Sequence, residues 1–269
     1  MPDIIAREEG RRFFGSDPQA YDRARPGHPD RVYEILAERC RLGAGTGVLE
    51  IGPGTGQATR RLLDLGADPL VAIEPNDDLA DYLALTLGDR VDIRLTPLES
   101  AELREASVDL TAAASSFHWV DEAVGLTALW RALRPGGWIA LWWTLFGEGA
   151  GPDAFIRATS PLLENLDSSP TKGDPGRPPH ALDTKARIGA LGAADFTDVS
   201  HDLVRWDATW DTEGIRALYG TFSPILRLEP ARRKKILDEI ARIAAQQFGG
   251  RVSRTLTTSL YTARKPAAD

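Results

Sequence analysis

The residues best suited to chemistry are the nine from 48 to 56, in which a mostly apolar run is followed by three closely spaced glycines: Val48-Leu-Glu-Ile-Gly-Pro-Gly-Thr-Gly56. A second apolar run, Leu70-Val-Ala-Ile-Glu74, ends on an acid about twenty residues after the glycines. A glycine turn after a strand lets backbone amides approach a ligand, and a carboxylate after the next strand can bind ribose hydroxyls. Together the two runs predict one nucleotide-type cofactor site.

The spacing of the glycines indicates which cofactor this is. Gly52, Gly54 and Gly56 follow a Gly-x-Gly-x-Gly pattern, and Gln57 stands where a dinucleotide loop has its third glycine. Glu50 precedes the loop, where its carboxylate would repel a pyrophosphate but attract the ammonium or sulfonium end of a cationic cofactor. No Lys-Ser or Lys-Thr pair follows, so a phosphate loop is excluded. The pattern favours S-adenosylmethionine over NAD, with Glu74 on the ribose.

Composition limits the partners. The 269 residues are 42% hydrophobic and 26% charged, with a net charge of −7 and a sequence pI of about 5.2. This balance suits one large α/β domain with an insertion, or two small domains. It disfavours nucleic-acid and anionic membrane surfaces. The one dense basic run, Arg232-Arg-Lys-Lys235, is interpreted as a solvated helix face. We therefore expect a small-molecule partner and a monomer or homodimer.

Cysteine and histidine usage indicates the compartment. Cys40 is the only cysteine, so no intrachain disulfide can form, as is typical of a reducing compartment. Met1–Arg12 lacks an apolar signal-peptide core, and no apolar run reaches the ~20 residues that cross a bilayer. A cytoplasmic location is expected. The four histidines have no short ligand spacing, so no metal site is predicted.

The hydrophobic pattern alternates between strand and helix. Strands are predicted over Val48–Ile51, Leu70–Ile73, Val91–Leu95, Val108–Ala114, Trp138–Thr144, Val199–Trp206 and Arg254–Thr262. Helices are predicted over Pro29–Cys40, Gln57–Leu65, Asp77–Leu87, Pro230–Phe248 and from an N-cap at Asp121 to Leu133. The fold class is therefore α/β, a doubly wound, mostly parallel seven-stranded sheet whose last strand is antiparallel, with a partly helical cover. Ligands bind such sheets at the carboxyl ends of the strands.

The later part of the chain is less regular. Asp153–Leu166 is predicted as a helix interrupted near Pro161, and residues 168–179 as a turn-rich loop. Three regions follow from this pattern. Residues 1–145 would form an N-terminal arm and the cofactor-binding core, residues 146–250 a substrate-side cover with strand six, and residues 251–269 the closing strand and tail.

Three further motifs accompany the glycine loop: Tyr21-Asp-Arg-Ala-Arg-Pro26, Ser116-Phe-His-Trp-Val-Asp121 and Leu133-Arg-Pro-Gly-Gly137. With this set the chain resembles the class I S-adenosylmethionine-dependent methyltransferases, in a small-molecule branch similar to the trans-aconitate methyltransferase relatives. The resemblance covers residues 13–145 well and residues 230–265 more weakly.

The resemblance implies roles for matching positions. The glycines, with Gln57 beside them, would lie against the methionine portion of the cofactor, Glu50 near its amino group and Glu74 on its ribose. The remaining cofactor contacts would come from Tyr21 and Arg25 at the carboxylate, Pro75, Asn76, Leu98 and Glu99 around the adenine, and Ser115 and Ser116 at the ammonium. Thr96-Pro97 replaces a commoner glycine and small polar residue, which weakens the adenine assignment.

His118 is the candidate general base, since it follows strand four and its ordinary pKa is near 6.5. A histidine of the pocket wall, bonded to backbone, is the alternative, and a carboxylate acceptor would need no base. Trp119, Trp206 and Trp210 are candidates to line an acceptor pocket, or else pack in the core. No Asn/Asp-Pro-Pro-Tyr run occurs at 115–118, which disfavours DNA-base and protein-glutamine methylation.

Other functions stay open at this point. A nucleotide-binding oxidoreductase would bind NAD, and a catalytically silent protein would bind S-adenosylmethionine without transferring its methyl group. Tyr21 and Arg25 could equally fasten the arm to the domain, and Glu50 could interact with a helix N-terminus. The leading prediction is an enzyme that methylates oxygen, carbon or nitrogen of a small metabolite.

Overall fold

The computed structural model describes residues 5, 6, 8, 9, 15, 17–146, 153–166 and 178–267. Its centre is a single seven-stranded sheet with the strand order β3-β2-β1-β4-β5-β7-β6. The strands are β1 (Thr46–Ile51), β2 (Ala67–Glu74), β3 (Asp92–Leu95), β4 (Val108–Ala114), β5 (Leu133–Leu145), β6 (Thr197–Asp211) and β7 (Arg251–Arg264). The first five strands are parallel to one another, and β7 is antiparallel to both β5 and β6.

Helices cover both faces of this sheet. They are α1 (Pro18–Ala24), α2 (Asp30–Cys40), α3 (Gln57–Asp64), α4 (Asp77–Leu87), α5 (Glu122–Ala132), α6 (Ala154–Leu163), α7 (Thr184–Ala193), α8 (Thr212–Gly220), α9 (Ser223–Leu226) and α10 (Pro230–Gln247). Residues of α2, α3 and α4 share one core cluster, and residues of α5 and α7 share another. The two clusters contain alternate residues of the same strands, as period-two geometry requires. The predicted doubly wound fold is confirmed.

The sheet reverses its winding between β1 and β4. Leu49 pairs with Val71 of β2 on one side and with Thr111 of β4 on the other. Chains leaving these two neighbouring strands turn to opposite faces, so a crevice opens at their carboxyl ends. The glycine loop after β1 and Ser115-Ser116 after β4 both lie at this point.

Several predicted boundaries differ from the structure. Helix α5 ends at Ala132, and β5 begins directly at Leu133, because Val108 of β4 already pairs with Leu133. Helix α6 continues through Pro161 to Leu163 and is not interrupted there. Proline in the last turn leaves little helix after it to disrupt. The predicted loop at 168–179 lies almost wholly outside the described residues, and the division at 145 and 250 stays a prediction.

The last two strands are longer than predicted. Residues Arg251–Leu256 of β7 pair with β6 alone, because the last pair between β5 and β7 joins Leu145 to Thr257. They form a two-stranded ribbon that continues beyond the carboxyl end of β5. A third core cluster, with Ile215 and Ile240 among its buried members, packs α8 and α10 onto this ribbon. We call the ribbon with α6, α8, α9 and α10 the cover.

One buried arginine fastens the cover to the sheet. The Nε of Arg254 in β7 donates to Oδ2 of Asp153 at 2.7 Å, and its Nη2 donates to the carbonyl of Phe146 at 2.8 Å. The other oxygen of Asp153 caps α6 by accepting from the amide of Ile156 at 2.7 Å. Removing Asp153 is costly, since the buried guanidinium of Arg254 would lose its charged partner.

Within the described ranges, no helix is both long and apolar enough to cross a bilayer.

Candidate functional site

A cavity of about 620 Å³ lies at the carboxyl ends of β1, β2, β4 and β5, under the cover. It is lined by many of the residues that the sequence singled out: Tyr21, Arg25, Gly52, Gly54, Gln57, Glu74, Pro75, Leu98, Ser115, Ser116, His118 and Trp119. The structure therefore brings twelve of the predicted positions to one place. Their assignment to individual cofactor atoms stays a prediction.

The glycine loop turns sharply at the end of β1. Gly52 has φ of +62°, and a Cβ there would lie 2.6 Å from Cβ of Ser116, so no larger residue fits. Gly54 has φ of +59°, and a Cβ there would meet no atom within 4 Å. Left-handed backbone favours glycine at both positions. The loop thus bends tightly against β4 while its middle faces open space.

Glu74 holds this loop from the neighbouring strand. Its Oε2 accepts from the amide of Gly54 at 3.1 Å, and its Oε1 accepts from the amide of Asn76 at 3.0 Å. The side chain is buried, with 3% exposed, yet it lines the cavity. A carboxylate anchored by two backbone amides is fixed in position and can still accept further hydrogen bonds.

Ser115 and Ser116 form the opposite side of the crevice. Ser115 has φ of +54°, which is strained for a residue other than glycine, and its amide donates to the carbonyl of Trp142 at 2.7 Å. The Ser116 hydroxyl donates to the carbonyl of Ile51 at the end of β1. Strain of this kind persists where the surroundings enforce it, and here it turns the chain at the cavity.

Arg25 lies among aromatic rings. Its guanidinium carbon is 5.3 Å from the ring centre of Tyr21, 5.5 Å from that of Phe146 and 4.9 Å from that of Phe222. Its Nε donates to the Thr221 hydroxyl at 2.7 Å. Among the described residues no carboxylate forms an ion pair with it. A cation in this setting can receive an anionic group of a ligand.

Gln57 connects the arm to the loop. Its side-chain amide donates to the carbonyl of Asp22 at 3.1 Å and to that of Arg25 at 2.9 Å. The first residue of α3 therefore fixes the end of α1, and with it the position of Arg25. This gives Gln57 a structural task in addition to its place in the cavity wall.

His118 is held by an indole. Nε1 of Trp143 donates to its Nδ1 at 3.2 Å, so the proton of the neutral ring belongs on Nε2. Burial lowers the pKa of His118 to about 3, and His180 contributes in the same direction. A general base works best with a free lone pair and a pKa near the working pH. The geometry favours a hydrogen-bond donor, and the proposed catalytic role stays a prediction.

Glu50 lies outside the cavity wall, contrary to the expectation from its position before the loop. It is completely buried on the face of β1 that packs against α2 and α3. Neither carboxylate oxygen has a hydrogen-bond partner in the described part of the chain, although the Thr59 hydroxyl lies near enough to lower its pKa slightly. Burial dominates and, with a smaller contribution from Glu74, raises the pKa of Glu50 to about 7.

Five other predicted residues also lie outside the cavity wall. Gly56 packs against α4, where a Cβ would be 2.7 Å from Leu83. Asn76 caps α4 by accepting from the amide of Leu79 at 3.1 Å, and Glu99 accepts from the amide of Asp121 at 3.0 Å.

Trp206 and Trp210 belong to the third core cluster instead of the predicted acceptor pocket. Alternate residues of β6 share one face, and that face is covered by helices of the cover.

Sequence reasoning missed much of the remaining wall. It comprises His28, Trp143, Thr144, Leu145, Phe146, Leu163, Leu166, Ala181, Phe222, Ser223, Pro224 and Ile225, among others. His28 follows the Tyr21–Pro26 motif by two residues, which was a usable signal. The others come from the end of β5, from the cover and, for Ala181, from the turn before α7, and their mostly apolar types are those of any core. Apart from His28, Thr144 and Ser223, these side chains are apolar or aromatic.

Three comparisons place this geometry among known proteins. The family described as a methyltransferase domain matches residues 49–141. An uncharacterized methyltransferase of Mycobacterium tuberculosis (strain ATCC 25618 / H37Rv) is 30% identical over 232 residues, which cover 86% of this chain and 85% of the relative. One of Schizosaccharomyces pombe is 26% identical over 258 residues, covering 94% and 97%.

A solved structure shares the fold. Haemonchus contortus phosphoethanolamine N-methyltransferase 2, in complex with phosphomonomethylethanolamine and S-adenosylhomocysteine, superposes with a TM-score of 0.58 at 14% identity. The match covers 97% of this chain and 60% of that one.

Proposed function

Because the chain belongs to the class I S-adenosylmethionine-dependent methyltransferases, we propose that it methylates a small molecule whose apolar body packs against the cover. The enzyme class and S-adenosylmethionine as methyl donor, both predicted from the sequence, are confirmed at the level of the family. The oxidoreductase and the catalytically silent binder are not favoured. The observation that carries the proposal is one continuous cavity, which joins the glycine loop and Glu74 to an apolar wall.

The residues present fit the methyl donor. A Cβ at Gly54 would stand in otherwise open space, so the glycine leaves room for a ligand against the loop. The anchored carboxylate of Glu74 suits ribose hydroxyls, and Arg25 has no acidic partner among the described residues, which suits a carboxylate. When bound, the donor supplies an activated methyl group on sulfur. The protein then has to align the acceptor with that methyl group and exclude water.

The cover supports an apolar acceptor. Leu163, Leu166, Phe222 and Ile225 line the cavity from α6, α8, α9 and their connections, and they continue into the third core cluster. The described wall on this side contains no lysine, aspartate or glutamate. The relation to the trans-aconitate methyltransferases stays part of the proposal and is supported by the sequence motifs. The apolar wall itself supports an acceptor with apolar surface.

The same proposal includes the setting of the enzyme. A cytoplasmic location is supported by the single free and buried Cys40. Absence of nucleic-acid and membrane partners is supported by the net charge of −7. The division into an arm with a cofactor core, a cover and a closing strand is supported by the separate third core cluster.

Calorimetric titration tests the first half of this proposal. S-adenosylmethionine and S-adenosylhomocysteine should each bind the purified protein, and NAD should not. Binding of NAD alone would contradict it.

A screen of metabolites with a labelled methyl donor tests the second half. Label should appear in an apolar small molecule. Transfer only to DNA or protein would contradict the assignment of the acceptor.

A further inference from the structure

Two histidines reach the end of β5 from opposite faces of the sheet. Trp143 and Thr144 are consecutive, so their side chains point to opposite faces. Trp143 bonds His118, and Thr144 bonds Nδ1 of His28 at 3.3 Å. His28 also packs edge-on against Trp142, on the face of Thr144, with ring centres 5.7 Å apart. Both histidines line the cavity.

The tautomer of His28 follows from a chain of hydrogen bonds across three strands. The indole of Trp206 can only donate, and its Nε1 donates a hydrogen bond to the Thr258 hydroxyl at 3.0 Å. The hydroxyls of Thr258 and Thr144 are 3.0 Å apart. If Thr258 accepted from both neighbours, its own buried hydroxyl proton would have no partner, which is costly. Thr258 therefore donates to Thr144, and Thr144 donates to Nδ1 of His28.

His28 and His118 have the same tautomer, although different residues bond their Nδ1 atoms. Each Nδ1 accepts a hydrogen bond, that of His118 from the Trp143 indole and that of His28 from the Thr144 hydroxyl. The remaining proton of each ring is then on Nε2, which has no partner among the described residues. Burial lowers the pKa of His28 to about 4 and that of His118 to about 3, so both rings are neutral at physiological pH.

We infer that the Nε2–H groups of His28 and His118, both on the cavity wall, are hydrogen-bond donors for anionic oxygen of the methyl acceptor. The inference rests on the proposed methyl transfer and names the chemistry of its acceptor: a carboxylate, phenolate or enolate oxygen on an apolar body. Methylation of such an oxygen forms a carbon–oxygen bond and breaks the methyl–sulfur bond, whose electron pair stays on sulfur. No proton moves, so no base is required.

Nitrogen NMR of histidine-labelled protein tests the tautomers without any turnover. At neutral pH both rings should be single Nε2–H tautomers with a hydrogen-bonded Nδ1. Of the two rings, Trp143→Phe should change the signals of His118 and leave those of His28, and Thr258→Val should do the reverse. Trp138→Phe and Thr257→Val are matched controls, since neither side chain is bonded to a histidine. A ring protonated on Nδ1, or charged at neutral pH, would overturn the inference.

Binding to the protein saturated with S-adenosylhomocysteine tests the ligand chemistry. Octanoate and 4-nitrophenolate at pH 8 serve as carboxylate and phenolate probes, and octylammonium serves as the cation of matched chain. One of the two anions should bind, and His118→Phe and His28→Phe should each weaken it about 10- to 100-fold. The anion that binds distinguishes the two oxygen classes.

Equal binding of octylammonium, or no binding of either anion, would contradict the inference. A failure of the proposed function is distinguished from a failure of this inference, because in that case S-adenosylhomocysteine itself would not bind before any probe is added. The tautomer measurement is valid in either case.

Discussion

The two halves of the cavity differ in the residues and the backbone conformations that form them. The donor half, the part around the glycine loop that we propose binds the methyl donor, consists of left-handed backbone at Gly52, Gly54 and the strained Ser115 together with the buried acid Glu74, and it lies above the buried Glu50. The acceptor half consists of apolar side chains of the cover that are shared with its core. Strain and buried charge reduce stability, whereas apolar burial increases it. The features of the donor half that suit a ligand therefore lower the stability of the fold. The apolar side chains of the acceptor half increase it.

The largest effect should come from the acceptor half. Ile225→Ala removes a side chain that is 1% exposed, so the free energy of unfolding should fall by about 2–5 kcal/mol. Affinity for S-adenosylhomocysteine should stay nearly unchanged, because the glycine loop is untouched. Urea unfolding and calorimetry measure the two quantities. If Ile225→Ala lowered the affinity for S-adenosylhomocysteine and left the free energy of unfolding unchanged, the proposed difference between the two halves would be wrong.

Glu50→Gln should reveal the cost of the buried acid. The pKa of Glu50 in the folded protein, about 7, is above its ordinary value of 4.5. Its contribution to stability is therefore full below pH 4.5 and is lost as the pH rises through about 7. The variant should match the parent near pH 4 and exceed it at pH 8 by on the order of 3 kcal/mol.

Urea unfolding of both cofactor-free proteins from pH 4 to pH 8 measures this difference, in which other titrating groups cancel. Parallel stability curves would show that Glu50 is not held protonated by its surroundings.

Glu74→Ala should weaken binding of S-adenosylhomocysteine at least about tenfold, or roughly 1–3 kcal/mol, because the loop loses its anchor and the ribose its acceptor. Glu102→Ala is the matched control, since that carboxylate is exposed and lies outside the cavity wall. Calorimetry gives both affinities. Equal values would remove Glu74 from the cofactor site.

The smallest effect separates strain from ligand contact. Gly54→Ala and Gly249→Ala both place a Cβ on left-handed backbone, at φ of +59° and +62°, with open space around it. Each should lower the free energy of unfolding by about 1–2 kcal/mol. Only Gly54→Ala should also lower cofactor affinity. Loss of affinity in both variants would mean that general destabilisation, and not the cavity, is responsible.

The donor half could be predicted from the sequence because backbone geometry restricts residue type. Positive φ at Gly52 and Gly54 requires glycine, and the end of β2 places Glu74 beside the loop, so spacing alone locates the site. Four predicted cofactor residues are exceptions: Gly56, Asn76 and Glu99, which have structural roles outside the cavity wall, and Glu50. The position of Glu50 before the loop suggested a ligand contact, but strand alternation turns its side chain into the core beneath.

The acceptor half could not be predicted in the same way. Apolar residues such as Leu166 and Phe222 have the types of any core residue, and no local pattern indicates that they line a cavity. Trp206 was selected for its type and lies outside the cavity wall, although its indole orients a residue of that wall through two hydroxyls. Such relations depend on hydrogen bonds between residues that are more than fifty positions apart in sequence.

The ribbon of β6 and β7 also has a consequence for the order of assembly. Strand β7 lies between β5 and β6 in the sheet but follows both in the chain, so β6 cannot join the sheet until β7 has been synthesised. During translation the glycine loop and the five parallel strands can form first, whereas the wall proposed to bind the acceptor is completed last. The glycine loop and Glu74 can therefore be in place early, whereas Arg25 gains its contacts with Thr221 and Phe222 only when the cover has formed.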